Sequence, residues 1–339
     1  MVFSREVVSA SFNNSSGEPL ERSIEIRINP ISFRTSRITG SRSMEKEAGT
    51  NSLPKPPPDA DDTSNCPFCQ PQLFSMTPRL NTESFNASRL RLGSATLFPN
   101  LYPYGSYSAV SLIDDVHFVE IGTASERSYQ NSFKLARQYL QEIRMTDPDA
   151  KYMAITQNHL PSAGGSLLHP HLQINADRVA SNHHRFLEKR SHQYYQHNGT
   201  RLFSDYLAYE QQSADRYIGA TLDWHWVAAY APEGFFEIWG LLPGAMSLQN
   251  LSDRHLTGLC AGIMHAQKFY RSLNRNGYNL GLLAVESESS QLELRIVLVV
   301  RSNYAPWVRN DFTGFEVMLG DMATFVAPEL TAQMARTFW

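Results

Sequence analysis

The sequence predicts an α+β protein in which one α+β unit is built twice in tandem. Three observations predict it. Residues 129–143 and 256–273 space their apolar side chains three and four apart, the mark of amphipathic helices. Short alternating segments that read as strands flank each of them. Each half then closes on an alternating strand, LLHPHLQI at 167–174 and LELRIVLVV at 292–300. The expected division is residues 1–180 for the first unit and 181–339 for the second.

Composition supports a folded chain of this size. Of 339 residues, 42% are hydrophobic and 19% charged, the balance of a globular protein long enough for two units. The net charge of −3 argues against a broad nucleic-acid surface, which needs a basic face. A small anionic ligand needs only local positive potential and stays open. No apolar run is long enough to span a bilayer, so no membrane span is expected. Residues 1–11 lack the basic start and apolar run of a secretion signal. The three cysteines, Cys66, Cys69 and Cys260, make a disulfide scaffold improbable in so long a chain. A reducing, cytoplasmic setting is expected.

Along the chain, residues 21–38 read as short strands with a turn at Asn29-Pro30. The polar stretch 40–64 holds Pro54, Pro56, Pro57 and Pro58 and reads as a surface loop. Residues 94–120 are β-rich. A strand at 151–156 and a glycine-bearing turn at 161–166 lead into the strand with two histidines. Residues 183–212 read as a helical connection. The second half repeats the order: a β-rich stretch at 223–239, the helix, strands at 278–285 and 293–301, and a last helix at 328–337.

The block NHLPSAGGSLLHPHLQ, residues 158–173, is the most informative in the chain. On a strand, His169, His171 and Gln173 project from one face, and three polar groups in a row are costly to bury without partners. Gly164 and Gly165 let the backbone approach a ligand. Backbone N–H groups of such a turn can hold phosphate oxygens, and Ser166 adds a hydroxyl. A neutral imidazole can attack phosphorus, splitting one displacement into two easier ones. It needs its far ring nitrogen held by a carbonyl and donors for the developing charge. Gln173 and Ser166 are suitable donors.

Cys66-Pro67-Phe68-Cys69 has the spacing of a zinc knuckle and would need two further ligands, for which His117 and His169 are candidates. A redox Cys-x-x-Cys is the alternative, but that motif opens a helix in a thioredoxin-like unit. A proline-rich loop precedes this one.

Asn158, Ala163-Gly164-Gly165-Ser166 and His169-Pro170-His171-Leu172-Gln173 together resemble the active-site signature of the galactose-1-phosphate uridylyltransferase branch of the histidine-triad superfamily. Glu25-Ile26-Arg27 with Asn29-Pro30 resembles the family's opening. Tyr278-Asn279-Leu280-Gly281, the segment 314–319 and Pro328-Glu329 resemble its second half. The resemblance implies two fused histidine-triad-like domains, each an antiparallel sheet with packed helices. It implies that His171 is the nucleotidylated nucleophile and that Gln173 hydrogen-bonds the transferred phosphoryl group. It also implies that Asn158, Gly164, Gly165 and Ser166 line the phosphate site and that Asn100 contacts the nucleotide. One structural zinc is implied on Cys66, Cys69, His117 and His169. The implied activity is transfer of a nucleoside monophosphate from a nucleoside-diphosphate sugar or a dinucleoside polyphosphate. The acceptor would be a sugar phosphate or inorganic phosphate. The alternatives are a nucleotide hydrolase on the same scaffold or a non-catalytic nucleotide-binding protein. A homodimer is implied as well.

The sequence departs from the family in places. The strand at 294–298 has no histidine, so a second metal site is not expected. The lysine and glutamine that hold the sugar phosphate are missing at 308–312 and 324–327, although Arg309 could supply the charge. This weakens galactose 1-phosphate as the acceptor and favours phosphate, water or another sugar phosphate. Elsewhere, His183 and His184 read as solvated, Trp224 and Trp226 as core, and Cys260 as a small buried hydrophobe. The pairs Asp61-Asp62 and Asp114-Asp115 read as turn residues.

Overall fold

Two sheets collect the alternating segments in this computed structural model, which describes residues 1–39, 53–303 and 314–339. The small sheet joins β1 (Ser4–Asn13), β2 (Pro19–Ile28), β3 (Thr35–Ile38) and β14 (Met322–Thr324), in that order. Here β14 runs parallel to β3 and the other pairs are antiparallel. The large sheet holds β4 (Leu90–Leu92), β5 (Ala95–Pro99), β6 (Tyr107–Leu112), β7 (Tyr152–His159) and β8 (His171–Asp177) from the first half. From the second half it holds β9 (Tyr217–Thr221), β10 (Trp224–Ala228), β11 (Phe235–Leu242), β12 (Tyr278–Val285) and β13 (Leu294–Val300).

Its strand order is β4-β5-β6-β8-β7-β12-β13-β11-β10-β9, antiparallel throughout. Read from either edge, the order is the same once five is added to each strand number of the first half. The tandem α+β reading thus becomes a pseudo-two-fold arrangement whose axis passes between β7 and β12. The helices are α1 (Gln72–Met76), α2 (Thr82–Phe85), α3 (Glu126–Thr146), α4 (Asn182–Asn198), α5 (Leu202–Ser213), α6 (Asp253–Ser272), α7 (Gly314–Leu319) and α8 (Pro328–Ala335). The counterparts α3 and α6 occupy the same place in each repeat.

Alternation along the strands decides which face is buried. Ile155, Ile174, Leu280, Leu282, Ile296 and Leu298 turn toward α3 and α6, packing on Leu135, Leu140, Leu259, Ile263 and Phe269. Burying each such side chain contributes about 1.5–3 kcal/mol before the entropy of ordering is counted. The opposite face is covered unevenly. Over the second half, Leu187 and Tyr194 of α4 and Phe203 and Tyr206 of α5 pack against Trp239, Leu241 and Val285. Over the first half, Leu73 of α1 packs with Phe98, Val110 and Leu112, and Phe68 joins them. Between these covers Asn158, Gln173 and Asn279 lie half-buried.

The opening and closing segments of the chain meet in a chain of ion pairs. Arg27 of β2 grips Glu329 of α8 with two parallel bonds, both 2.9 Å. Arg216 adds a 2.9 Å bond to Glu329 and also pairs with the buried Glu210. Asn29 accepts from the Ile31 N–H at 2.9 Å and donates to the Ala231 carbonyl at 3.2 Å, fastening the turn after β2 to the second half.

Several local expectations differ. Strand β1 shows no periodicity because both of its faces are largely exposed. Strand β9 is short and lies outside the stretch expected to be β-rich. Residues 183–212 form two helices, because Gly199 takes φ of 71° and ends α4. The β-rich stretch 94–120 is strand only to Leu112, beyond which a loop carries His117. The strand expected at 167–174 begins at His171. Pro170 has no N–H for a ladder, and its carbonyl accepts from the Ile113 N–H instead. His169 therefore precedes the strand, and its ring serves a different site from that of His171. His184 is buried rather than solvated, with Nε2 2.9 Å from the Met153 carbonyl and Nδ1 2.9 Å from Ser181 Oγ. Trp224, Trp226 and Cys260 are fully buried, as expected. Arg309 lies outside the described residues. Among the described residues no helix is long and apolar enough to cross a membrane.

Burial alone would raise the Glu329 pKa, but its bonds and charge contacts with Arg27 and Arg216 pull it from 4.5 down to about 2. A depressed carboxylate stabilises the fold fully above its unfolded pKa and loses that contribution as pH falls through the folded value. Glu329→Gln should therefore lower stability by about 1–3 kcal/mol at neutral pH, because it leaves buried donors underpaired. The gap to the wild type should narrow between pH 4.5 and about 2 in denaturant melts. A gap that does not change with pH would contradict the assignment.

Candidate active site and metal centre

Strand β8 presents His171, Gln173 and Asn175 on one face, because side chains two apart share a face. Its ladder places Gln173 between Val110 of β6 and Thr156 of β7. One step beyond that row, His171 and Asn158 leave the ladder on the same side. His171 is 8% exposed, and its Nδ1 lies 2.8 Å from the His169 carbonyl. A carbonyl only accepts, so Nδ1 carries the proton and Nε2 keeps its lone pair. No group among the described residues hydrogen-bonds that Nε2. Burial lowers the His171 pKa, and the His169 carbonyl opposes the shift. Phe68 packs edge-on against His171, with ring centres 5.2 Å apart.

The turn from β7 to β8 is held in an unusual backbone state. Leu160 takes φ of 71° and ψ of 163°, a region almost confined to glycine. Its carbonyl accepts from the N–H groups of Ala163 and Gly165, at 3.0 and 3.1 Å. The Gly164 N–H closes on the Pro161 carbonyl at 2.9 Å. The N–H groups of Gly164 and Gly165 are thus spent within the turn. What the turn turns outward is Ser166, which is exposed. Gly164 has φ of +86° with open space around it, whereas a Cβ on Gly165 would meet the Asn158 and Leu160 carbonyl oxygens at 3.0 Å.

Asn158 is fixed from across the sheet. Its Oδ1 accepts from Asn279 Nδ2 at 2.7 Å, and Asn279 Nδ2 also donates to the Ala163 carbonyl at 2.8 Å. Arg301 Nη1 donates to Asn279 Oδ1 at 2.9 Å. Asn100 sits at the far end of the same face. Its N–H donates to the Ser108 carbonyl, and Ser108 pairs with Asn175 of β8. His171, Gln173, Asn158 and Gly165 are therefore brought together, Ser166 follows Gly165 on the exposed side of the turn, and Asn100 stands two strands beyond Gln173.

Behind His171, Cys66, Cys69, His117 and His169 converge, with their ligand atoms all within 4.8 Å of one another. Cys69 Sγ lies 3.3 Å from His117 Nδ1 and 3.4 Å from His169 Nδ1, and Cys66 Sγ lies 4.0 Å from His169 Nδ1. A tetrahedral zinc with sulfur and nitrogen ligands needs S···N edges of about 3.6 Å, which these distances bracket. The far nitrogen of His169 donates to the Asp114 carbonyl at 2.9 Å, so its Nδ1 lone pair faces the thiols. Burial and the neighbouring Cys66 push the Cys69 thiol up to about 12, so a bound cation is needed to hold it as thiolate at neutral pH. These four residues fit one tetrahedral metal ion.

Three neighbours received no role in the sequence reading. Phe68 lay inside the knuckle, and Asn279 lay in a segment noted only for its resemblance. Arg301 carried no local signal, because its contact with Asn279 spans one antiparallel strand pair.

No family model matches the chain. An uncharacterized protein of Archaeoglobus fulgidus is 28% identical over 325 residues, 95% of this chain and 94% of that protein. Among solved structures, a GalT-like protein from Arabidopsis thaliana superposes with a TM-score of 0.69 at 20% identity, covering 92% of this chain and 98% of that one. An ADP-glucose phosphorylase from Arabidopsis thaliana, solved with bound ADP-glucose, gives 0.69 at 19% identity with the same coverage. A uridylyltransferase gives 0.68 at 16%, over 92% of this chain and 97% of that one. The chain has the fold of the galactose-1-phosphate uridylyltransferase-like proteins, two histidine-triad-like units in tandem.

Gly165→Ala should destabilise the protein by about 1–3 kcal/mol, since both close contacts are backbone and cannot rotate away. Gly164→Ala meets only its positive φ and should cost about 1 kcal/mol. Thermal melts of the two variants check the order; equal stabilities would contradict the crowding at Gly165.

Proposed function

We propose that the protein is a nucleotidyltransferase of the phosphorylase type. It moves a nucleoside monophosphate from a nucleoside-diphosphate sugar, or a dinucleoside polyphosphate, through a covalent intermediate on His171. The observation that supports this most directly is the His171 ring, whose Nδ1–H is committed to the His169 carbonyl, which leaves the Nε2 lone pair free on the strand that also carries Gln173, next to the strand that carries Asn158.

In the first step the Nε2 lone pair forms a bond to the α-phosphorus. The bond from that phosphorus to the bridging oxygen breaks, and the leaving phosphate keeps the electron pair. The ring then carries a positive charge, which the His169 carbonyl offsets through Nδ1–H. Ser166, Gln173 and the Asn158 amide donate to the phosphoryl oxygens as negative charge builds. In the second step an acceptor oxygen attacks the same phosphorus and loses its proton to solvent. The P–N bond breaks, and its electrons return to Nε2. Asn100 would contact the nucleoside at the far end of the face.

Inorganic phosphate is the acceptor favoured by the residues at hand. Segment 324–327 carries no amide side chain, and Thr324 belongs to β14. The same absence supports water as the second reading, which would make the protein a hydrolase. Cys66, Cys69, His117 and His169 would hold one structural zinc, which supplies no Lewis acid to the reaction and ties the knuckle, the His117 loop and the approach to β8 together. The cysteines are unpaired, in keeping with a reducing, cytoplasmic setting.

Intact-protein mass spectrometry after brief mixing with UDP-glucose, ADP-glucose, GDP-mannose and diadenosine tetraphosphate in turn tests the reading. One donor should add the mass of one nucleoside monophosphate to the wild type and none to His171→Ala, with unchanged melting. Turnover by His171→Ala at the wild-type rate sinks the proposal. Added phosphate should accelerate release from the labelled enzyme; release indifferent to phosphate favours the hydrolase. Elemental analysis should find about one zinc per chain. Cys66→Ser should lose both the metal and several degrees of melting temperature, and a stable, metal-free wild type would contradict the zinc.

A further inference from the structure

An asparagine facing a phosphate helps only if it presents its NH2 group. Turned over, it presents a carbonyl oxygen, which repels phosphoryl oxygens. Nothing in Asn158 itself selects between the two orientations, since its carboxamide is nearly symmetric in shape. The selection comes from the second half of the chain.

Arg301 donates and cannot accept. Its 2.9 Å bond therefore requires the oxygen of the Asn279 carboxamide to face it. That places the Asn279 NH2 group on the other side, where it has two acceptors, the Ala163 carbonyl at 2.8 Å and Asn158 at 2.7 Å. The Ala163 carbonyl enforces the same orientation, because it too can only accept. Asn158 must then offer its oxygen to Asn279, and its own NH2 group is what remains for the His171 side of the sheet. The orientation of Asn158 follows from donor and acceptor identities alone.

The placement is as constrained as the orientation. Asn158 and Asn279 are direct partners in the β7–β12 ladder, so their side chains meet on one face. The Ala163 bond fastens the turn just before Gly164, Gly165 and Ser166. One side chain from the second half thus holds both the asparagine and the turn of the first half's phosphate site.

We infer that Asn279, oriented by Arg301, is a positioning residue for the proposed transfer: it sets Asn158 as a donor to the transferred phosphoryl group. The inference rests on the nucleotidyl-transfer reading above. Asn279 touches no substrate and acts on the phosphoryl group through Asn158 alone; its bond to the Ala163 carbonyl helps fix its own orientation.

Asn279→Asp separates this role from simple packing. The carboxylate keeps the shape and the bond to Arg301, but it has no donor for Asn158 or Ala163. Asn158 then turns its NH2 toward Asp at 279 and its oxygen toward the phosphate. The rate of nucleotidyl-His171 formation is read in single turnover by rapid quench and mass spectrometry, using whichever of the four donors labels the wild type. It should fall about 100-fold, the effect of losing one well-placed donor. Asn279→Ala, which frees Asn158 to take either orientation, should fall about tenfold. In an Asn158→Ala background neither change should slow the reaction further, because a residue that acts through another has no separate effect once that other is gone. Melting temperatures, taken alongside, identify any variant that fails to fold, and the remaining variant then decides.

Single and double variants whose effects multiply, or an Asn279→Asp protein that labels at the wild-type rate, overturn the inference and leave the transfer reading standing. A wild type that neither labels nor releases monophosphate with any donor overturns the transfer reading, and the inference with it.

Discussion

The pairing of β7 with β12 is the interaction on which the rest of the structure depends. Eight consecutive register pairs, from Tyr278 with His159 to Val285 with Tyr152, join the halves into one sheet. Without that seam each repeat would present an open strand edge, the state that sheets pair or cover to avoid. With it, α3 and α6 share one apolar core across both halves. The seam also runs beneath the candidate site, since Asn158 lies on one of its strands and Asn279 on the other. Buried hydrogen bonds bridge the halves behind it, with the Tyr129 and Tyr278 hydroxyls 2.7 Å apart.

The two repeats divide the work unequally. In the first, the approach to β8 supplies His169 and His171, and the turn before it stores backbone strain at Leu160. In the second, β13 begins at Leu294, and buried carboxylates occupy the corresponding region. Glu286 accepts from Ser247 Oγ and the Leu248 N–H, both at 2.7 Å, and Glu293 from the Ser204 and Gly244 N–H groups, both at 2.8 Å. Those bonds close turns. The second repeat meets the first beside the candidate site through Asn279, which Arg301 holds from its own half.

The four converging ligands and His171 form one mechanical unit. Phe68 stands between Cys66 and Cys69 in sequence and against His171 in space. His169 uses its backbone carbonyl to orient the His171 ring and its own ring to face the thiols. Tightening the cluster constrains the His171 ring through the His169 carbonyl and one aromatic contact.

Much of this was legible in the chain. The two amphipathic helices and most core strands follow from periodicity, because half-buried elements need a polar and an apolar side. The Cys-x-x-Cys spacing, the glycine turn and His-Pro-His named the residues of the candidate site, because local chemistry is written in short segments. Strand β1 escaped, since an arm exposed on both faces has no alternation to show. The histidine pair was read as one strand face, whereas Pro170 breaks the ladder and sends the two rings to different tasks. By itself the sequence determined which side chains could do chemistry and which segments could form strands and helices. Only the tertiary structure decided that Asn279 faces Asn158, that Arg301 sets the direction of both amides, and that Arg27 closes on Glu329. Those contacts join residues 22 to 302 positions apart, and nothing local in a sequence records which distant partner a hydrogen-bonding group will meet.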